Sequence, residues 1–419
     1  MRGLLGKKLS HSYSKIIHES IDKSKYDLIE LDELDSFFQE KAFEALNVTI
    51  PYKNDVIAHL DSTSETVQVT KSCNTIVNKD GKLYGHNTDY SGFEFMCKEN
   101  DILFKDKVVG IIGNGSTSRT IAFYSDNEKA KQTLVFARNP KANEINIANI
   151  DQYPDIEILI NATPVGMYPD NKATLGLHLS KYPNLKTVID LIYNPLKTKL
   201  LIDAEKLNIK TVNGLLMLVS QAVKANELFN NTTYPESLTL SIYSTLKFEM
   251  LNIVFIGMPM SGKTFYAKQI SSKYNKVVVD LDNKLEEDTG KSIPEIFNSD
   301  GEQAFRSIEK RIAYNYSKGL SQAISTGGGI ILNPENIDNL KQNGIIIFLD
   351  MSLQDLMACN PKNRPLLQNP DDLERLYNER KPLYNKYCDI IIPKKGYDQR
   401  RILSVIEVKL NEYLNTKWS

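Results

Sequence analysis

The sequence predicts a multidomain α/β protein, and three stretches carry that prediction. Leu251–Ile256, apolar except for Asn252, has the character of a buried strand. It feeds Gly257-Met258-Pro259-Met260-Ser261-Gly262-Lys263-Thr264, which matches the phosphate-cradling pattern G-x-x-x-x-G-K-[ST]. Val108–Ile112 is a second such run, feeding the glycine turn Gly113-Asn114-Gly115. The residues before that second run are numerous enough to bury a core of their own. We therefore expect folded segments at 1–106, 107–231 and 251–419, with 232–250 as linker and the last helix of the second segment packing back on the first.

Composition sets the class. Of 419 residues, 41% are hydrophobic and 25% charged, an ordinary globular balance. A formal charge of -1 gives no support to a nucleic-acid or membrane-surface partner, while local phosphate sites remain open. Cys73, Cys97, Cys359 and Cys388 have neither C-x-x-C nor zinc spacing and read as reduced packing thiols. Residues 1–9 lack the apolar core of a signal peptide, and no apolar run reaches membrane-spanning length. The expected location is the cytoplasm.

In the first segment, Arg2–Gly6 reads as a short strand, and Ser10-His11-Ser12-Tyr13-Ser14 precedes a helix from Lys15 to about Ser20. Its hydroxyls fit two roles, capping that helix or holding a small anion such as a carboxylate at its N-terminus. Asn47-Val48-Thr49-Ile50-Pro51-Tyr52-Lys53 places Thr49 and Lys53 around a proline before an expected helix. Taken alone, Lys53 reads as a solvent-exposed lysine. Asn74-Thr75 and Asn87-Thr88-Asp89 add polar groups at element ends, and a Lys/Asp pair poised by burial and mutual charge suits proton transfer.

These segments, in this order, resemble the shikimate dehydrogenase family. The resemblance implies that Ser12 and Ser14 bind a substrate carboxylate, that Thr49, Asn74 and Asn87 hold ring oxygens, and that Lys53 and Asp89 form the catalytic pair. Reducing a ketone by hydride addition builds negative charge on its oxygen, which a neighbouring ammonium stabilises and protonates.

In the second segment, Gly113-Asn114-Gly115-Ser116-Thr117-Ser118 keeps the opening G-x-G of a dinucleotide loop, with Ser118 at the third small position. The next strand, Thr133–Phe136, runs into Ala137-Arg138-Asn139. The acid that would accept from an adenosine ribose is missing there, and Arg138 with Lys141 suits an added phosphate; a structural arginine covering apolar surface is the competing reading. By resemblance, these residues bind NADP(H), with Thr163, Met167 and Gly214 at the nicotinamide side. Tyr193 either shapes that cleft or packs, and Gln221, on a helix beginning after Gly214, contacts substrate.

In the third segment, Gly257, Met260, Ser261 and Gly262 cradle phosphate, Lys263 neutralises charge and Thr264 meets magnesium. Val277–Asp282 ends in two alternate carboxylates, Asp280 and Asp282, which share a side if the strand continues. Arg306 and Glu309 share a helical face and by themselves read as a surface ion pair. Gly327-Gly328-Gly329 permits close backbone approach to a ligand.

This segment resembles shikimate kinase, a P-loop enzyme using ATP and Mg2+. The resemblance gives Asp282 the substrate hydroxyl, Asp280 the metal shell with Thr264, and Arg306 and Arg380 the substrate carboxylate. Gly328 and Gly329 line that site, Glu309 supports the arginines, and Arg364 meets transferred phosphate. The stretch Leu356–Asn363 departs from the family in lacking a second arginine.

Together the resemblances imply an N-terminal α/β substrate domain, a Rossmann NADP domain and a P-loop kinase domain with a parallel sheet. The expected activities are NADPH-dependent reduction of 3-dehydroshikimate to shikimate and ATP-dependent 3-phosphorylation of shikimate. Two alternatives stand beside this: a quinate/shikimate dehydrogenase joined to the same kinase, and a metabolite sensor with one degenerate half. Oligomeric state carries no sequence signal.

Overall fold

The structure, a computed structural model, describes residues 1–9, 12–359, 370–394 and 398–417. The chain divides into two compact units, one formed by Met1–Tyr193 with Asp203–Leu246, the other by Asn194–Ile202 with Lys247–Ser419.

The first unit contains two sheets. One has the strand order Asp27–Glu30, Arg2–Gly6, Ala45–Val48, Thr75–Lys79, Lys82–His86, Ser62–Thr63. Its first three strands are parallel, while Thr75–Lys79 runs antiparallel to both neighbours. Hence the carboxyl ends of Arg2–Gly6, Ala45–Val48 and Lys82–His86 share one edge with the amino end of Thr75–Lys79. Leu5, Leu46, Ile76 and Leu83 pack with Phe38 and Phe43 beneath it.

The other sheet is wholly parallel, in the order Lys210–Asn213, Thr187–Asp190, Ile158–Asn161, Val108–Ile112, Gln132–Ala137, Ile145–Asn146. Chain order reverses at Val108–Ile112, so the crevice for a ligand opens where Gly113 begins. The strands are nearly continuous apolar runs because both faces are covered.

The helix Leu215–Asn230 then returns to the first sheet. Ala225 and Phe229 join Leu4, Leu9, Tyr26, Ala45 and Val77 in one cluster. It also packs on the helix Thr88–Glu99 at Gly92, where a Cβ would lie 2.8 Å from both the Gln221 Cβ and the Met217 carbonyl oxygen. Only a residue without a side chain permits that approach.

The second unit has a five-stranded parallel sheet, ordered Val277–Asp280, Gln322–Ser325, Asn252–Ile256, Gly344–Asp350, Ile390–Pro393. Val254, Ile256, Ile324, Ile346 and Phe348 form its core with Tyr384. Among the described residues, no helix is long and apolar enough to cross a membrane. All four cysteines are free thiols, Cys73 and Cys97 buried.

Three local expectations change. The helix after Pro51 is only a 3-10 turn, Asp55–His59, and the first helix begins at Ser14, one residue early, with Tyr13 at its cap position. The strand ending in Asp280 does not continue: a helix, Leu281–Thr289, starts at once, so Asp280 and Asp282 are not strand-phase neighbours. Asp280 caps that helix instead, its Oδ1 accepting from the backbone N–H groups of Asp282 and Asn283 at 3.1 and 3.3 Å. Residues Glu236–Met250, within the expected linker, form a helix.

This packing carries two testable consequences. Gly92→Ala should destabilise the first unit by about 1–3 kcal/mol, read from urea unfolding, because the two helices must separate. His18, stacked on Tyr26 at 4.2 Å, is driven down to about 3 by burial. Below its ordinary value near 6.5 the unfolded chain therefore binds a proton that the folded chain refuses. His18 leaves stability untouched above that pH and removes about 1.4 kcal/mol per unit as pH falls toward 3. His18→Leu should flatten this slope in chemical denaturation at pH 7 and pH 5.

Candidate active sites

In the first unit, strand ends deliver the polar groups. Lys53 follows Ala45–Val48 through the Thr49–Tyr52 turn, and its Nζ donates to Asp89 Oδ2 at 2.5 Å. The pair is nearly enclosed, with side-chain exposures of 12% and 9%, so Lys53 is not the solvent-exposed lysine that its local sequence suggests. Asn74 Nδ2 donates to Asp89 Oδ1 at 2.9 Å, and Thr88 N–H fixes Asn74 Oδ1 at 2.7 Å. From the returning helix, Gln221 Oε1 stands 3.4 Å from Asn74 Nδ2 and from Thr88 Oγ1. Lys53 and Asn74 thus meet on one carboxylate, with Thr88 and Gln221 holding Asn74 from behind.

The serine segment leaves the same sheet edge after Arg2–Gly6. Ser12 Oγ accepts the Ser14 N–H at 3.2 Å, so one hydroxyl supports the helix start without occupying its cap position. Ser14 is buried and Ser12 partly exposed. Thr49, partly exposed, borders Gly6. Asn87 differs from the others: its Nδ2 protons go to Thr70 and Thr120 Oγ1 at 3.2 and 2.9 Å, and its Oδ1 caps the helix at Tyr90 N–H.

The dinucleotide crevice is built around Gly113, at φ +113°, where a Cβ would crowd the Ala162 carbonyl oxygen at 3.0 Å. Gly115 precedes the helix Ser116–Asn127, which has no side-chain cap, and a Cβ at Gly115 would meet nothing within 4 Å. Open backbone N–H groups with free space before them fit a pyrophosphate. Ser118 turns inward instead, donating to the Gly113 carbonyl at 2.5 Å. Ala137 is buried, whereas Arg138 and Asn139 are exposed, and Arg138 makes no ion pair among the described residues. Asn114 Nδ2 bridges to the Asn139 carbonyl at 3.1 Å and to Glu144 at 2.9 Å, which brings Arg138's segment beside the glycine loop.

Around the far side of that crevice, Thr163 Oγ1 donates to Asn161 at 2.7 Å and Met167 is exposed. Tyr193 sets its ring edgewise to Tyr13 at 5.9 Å, and burial raises its hydroxyl above the ordinary range. Gly214 lies so close to the Leu191 carbonyl that no side chain fits.

In the second unit, parallel strands place the loops that leave their carboxyl ends at one edge. Gly257 adopts φ +147°, and Lys263 Nζ lies 3.1 and 3.0 Å from the carbonyls of Gly257 and Met258. Ser261 Oγ is buried without a hydrogen-bond partner among the described residues, an orphaned polar atom that fits a phosphate loop. Thr264 Oγ1 meets Asp280 Oδ2 at 2.6 Å and Ser325 Oγ at 3.0 Å. No group of three His, Cys, Asp or Glu gathers among the described residues. Hydroxyl and carboxylate oxygens of this kind suit a magnesium ion whose remaining ligands come from nucleotide and water.

Beyond them lies an arginine cluster. Arg306 Nη1 donates to Glu309 Oε2 at 2.9 Å, and Glu309 is 8% exposed, so this is no surface pair. The distinction matters energetically: an exposed pair contributes about 0–1 kcal/mol, whereas removing one partner of a buried pair costs about 3–5 kcal/mol. Burial raises the Glu309 carboxyl, Arg306 and Arg380 oppose that shift, and Asp282 reinforces it. Arg380 is buried, and its Nε, the Nε of Arg306 and Glu309 Oε1 all lack hydrogen-bond partners among the described residues. A Cβ at Gly329 would fall 2.3 Å from Arg306 Nη1, while Gly328 offers its carbonyl to Tyr384 Oη at 2.5 Å. Orphaned guanidinium donors beside bare backbone fit an anionic ligand. Arg364 lies outside the described residues.

A shikimate dehydrogenase substrate-binding-domain model matches residues 4–76, and a shikimate kinase model matches 259–411. The NADP(+) shikimate dehydrogenase of Clostridium perfringens strain 13 is 37% identical over 266 residues, which span 58% of this chain and 97% of that protein. The chain belongs to the shikimate dehydrogenase family. Its C-terminal part is a shikimate kinase domain. Shikimate dehydrogenase 1 of Peptoclostridium difficile superposes with TM-score 0.54 at 33% identity, covering 58% of this chain and 97% of that one. The shikimate 5-dehydrogenase of Thermus thermophilus, solved with NADP(H) and shikimate, gives 0.53 at 27%, covering 58% and 98%.

The dehydrogenase unit also uses residues that sequence reading passed over. Arg119, on the helix after the glycine loop, donates to the Thr70 carbonyl at 2.8 Å and to Asn54 Oδ1 at 2.7 Å. It ties the cofactor half to the substrate half. Glu144 was missed because it lies beyond the position where a ribose-binding acid is sought; here it steadies Asn114 and the Lys141 N–H. In the kinase unit, Ser325 joins Thr264 and Asp280 because it pairs with Asp280 across adjacent strands. A lone serine at a strand end carried no signal for that.

Proposed function

We propose that the chain is a bifunctional shikimate-pathway enzyme that reduces 3-dehydroshikimate to shikimate and then phosphorylates the 3-hydroxyl of shikimate. The observation that carries the first step is the enclosed Lys53–Asp89 pair, held by Asn74 at the edge where the serine segment also emerges. Bound NADPH supplies a hydride, and bound ATP with Mg2+ supplies the phosphoryl group while the metal offsets its charge. The chain's own residues do the rest.

Lys53 presents its ammonium to the ring oxygen that gains negative charge and gives it a proton, while Asp89 orients both Lys53 and the substrate hydroxyl. Ser12 and Ser14 bind the carboxylate, Thr49 and Asn74 the ring oxygens, and Gln221 closes the site from the returning helix. Asn87, whose two amide protons go to threonines, meets a ring hydroxyl as an acceptor through Oδ1 and also caps the helix that carries Asp89. Gly113–Thr117 and Arg138 hold the phosphates of NADP(H), with Thr163, Met167, Tyr193 and Gly214 bordering the nicotinamide. Ser118 braces that loop through Gly113.

In the kinase unit, Asp282 accepts the proton of the attacking hydroxyl. Arg306 and Arg380 clamp the carboxylate against Gly328 and Gly329, with Glu309 fixing Arg306. Lys263, Ser261 and the Gly257–Gly262 loop hold ATP, and Thr264 with Asp280 holds the metal. Arg364 completes phosphate capture. The reading places the enzyme in the cytoplasm.

Separate assays test each half. Lys53→Met should lower shikimate oxidation with NADP by about 10²–10⁴-fold and leave ATP-dependent phosphorylation intact; Asp282→Asn should do the reverse. Full turnover in either altered site would reject its assignment. Arg138→Leu should cost about 10–100-fold in preference for NADP over NAD, measured as a ratio of kcat/KM values, through loss of a charge-assisted contact.

A further inference from the structure

A single directed chain of hydrogen bonds runs from the back of the substrate sheet to Asp89. Its polarity is set by two groups that have no choice. The backbone N–H of Thr88 can only donate, so the atom it meets at 2.7 Å is Asn74 Oδ1 and the Asn74 amide turns Nδ2 to Asp89. The backbone carbonyl of Asn74 can only accept, so the atom at 3.3 Å is Asn47 Nδ2. The same Nδ2 reaches Thr75 Oγ1 at 3.1 Å, which leaves Asn47 Oδ1 facing Tyr26.

The senses at Tyr26 and Asn47 then follow, and Thr75 keeps a choice of two acceptors. Tyr26 Oη must donate to Asn47 Oδ1 at 2.8 Å. Thr75 Oγ1, having accepted from Asn47, turns its own proton to Asn74 Oδ1 at 3.1 Å or to Thr88 Oγ1 at 3.0 Å. Asn74 donates to Asp89, whose other oxygen takes the Lys53 ammonium. Tyr26, Asn47, Thr75, Asn74, Thr88 and Asp89 are all buried, so water cannot substitute for a missing member. Burial holds the Tyr26 hydroxyl well above its ordinary range, which keeps it a donor. The neutral His18 ring stacked on Tyr26 fixes the plane of that phenol.

We propose that Thr75, with Asn47 and Tyr26 behind it, is a positioning residue for the dehydrogenase reaction. Its hydroxyl locks the two side chains, Asn74 and Thr88, that hold Asp89 and through it the Lys53 ammonium. In a buried chain of this kind each donor polarises the next, so the last one grips the carboxylate more firmly. None of Thr75, Asn47 and Tyr26 hydrogen-bonds to the side chain of Lys53 or Asp89 among the described residues. The inference rests on the reading of Lys53 and Asp89 as the reacting pair.

The test compares Thr75→Val, Thr75→Ser and Tyr26→Phe with the unaltered full chain, using shikimate and NADP and following kcat and KM separately. Thr75→Val should lower kcat by about tenfold, the rate equivalent of one hydrogen bond, with KM for shikimate within about twofold. Thr75→Ser should restore kcat. Tyr26→Phe should lower kcat by about threefold, again with KM unchanged. An unchanged kcat in Thr75→Val, a loss confined to KM, or a loss that serine does not repair would overturn the proposal. Should Thr75→Val fail to bind NADP as a folded chain does, Tyr26→Phe decides alone, and parental kcat there overturns it. Absence of turnover in the unaltered chain would instead reject the reading of Lys53 and Asp89, and the positioning role with it.

Discussion

Parallel strands leave all their carboxyl ends on one side, and that constraint organises each candidate site in this chain. A strand end is where backbone N–H and carbonyl groups run out of partners and where a loop must start. In the kinase unit the five parallel strands put the phosphate loop, Asp280, Ser325 and the Gly327–Gly329 stretch side by side. In the substrate sheet the same edge includes the amino end of an antiparallel strand, and so Asn74 joins Lys53 and Asp89. The chemistry is assembled by sheet geometry before any side chain is chosen.

This explains which parts were readable in advance. Buried strands such as Val108–Ile112 and Asn252–Ile256 are apolar on both faces and announce themselves, and a glycine loop directly after each locates the ligand edge. Lys263 could be named from the phosphate-loop pattern at such a junction, whereas Lys53, Asp89 and Asp280 could be named only through resemblance to the two families. The parallel character of the two nucleotide-binding sheets followed from the family resemblances.

What escaped was contact between elements far apart in sequence. The local surroundings of Lys53 gave no sign of burial, since its partner lies 36 positions away. Arg306 and Glu309 looked like any i,i+3 pair until the fold enclosed Glu309 beside Asp282 and Arg380. The phase argument for Asp280 and Asp282 failed for a local reason. Asp is a strong helix N-cap, and once Asp280 took the backbone N–H groups of Asp282 and Asn283, the strand had to stop. Asn87 shows another such contact: its two amide protons go to Thr70 and Thr120, which leaves its Oδ1, already accepting from Tyr90 N–H, as the atom with capacity to spare.

The returning helix Leu215–Asn230 has a consequence for modularity. It is made by the nucleotide-binding segment, yet it lodges Ala225 and Phe229 under the substrate sheet and sets Gln221 beside Asn74. The dehydrogenase is therefore two lobes in space but not two cassettes in the gene. A recombination that exchanged the cofactor lobe as one contiguous block would carry away a wall of the neighbouring lobe, so cofactor specificity here is free to evolve residue by residue and not by transplant.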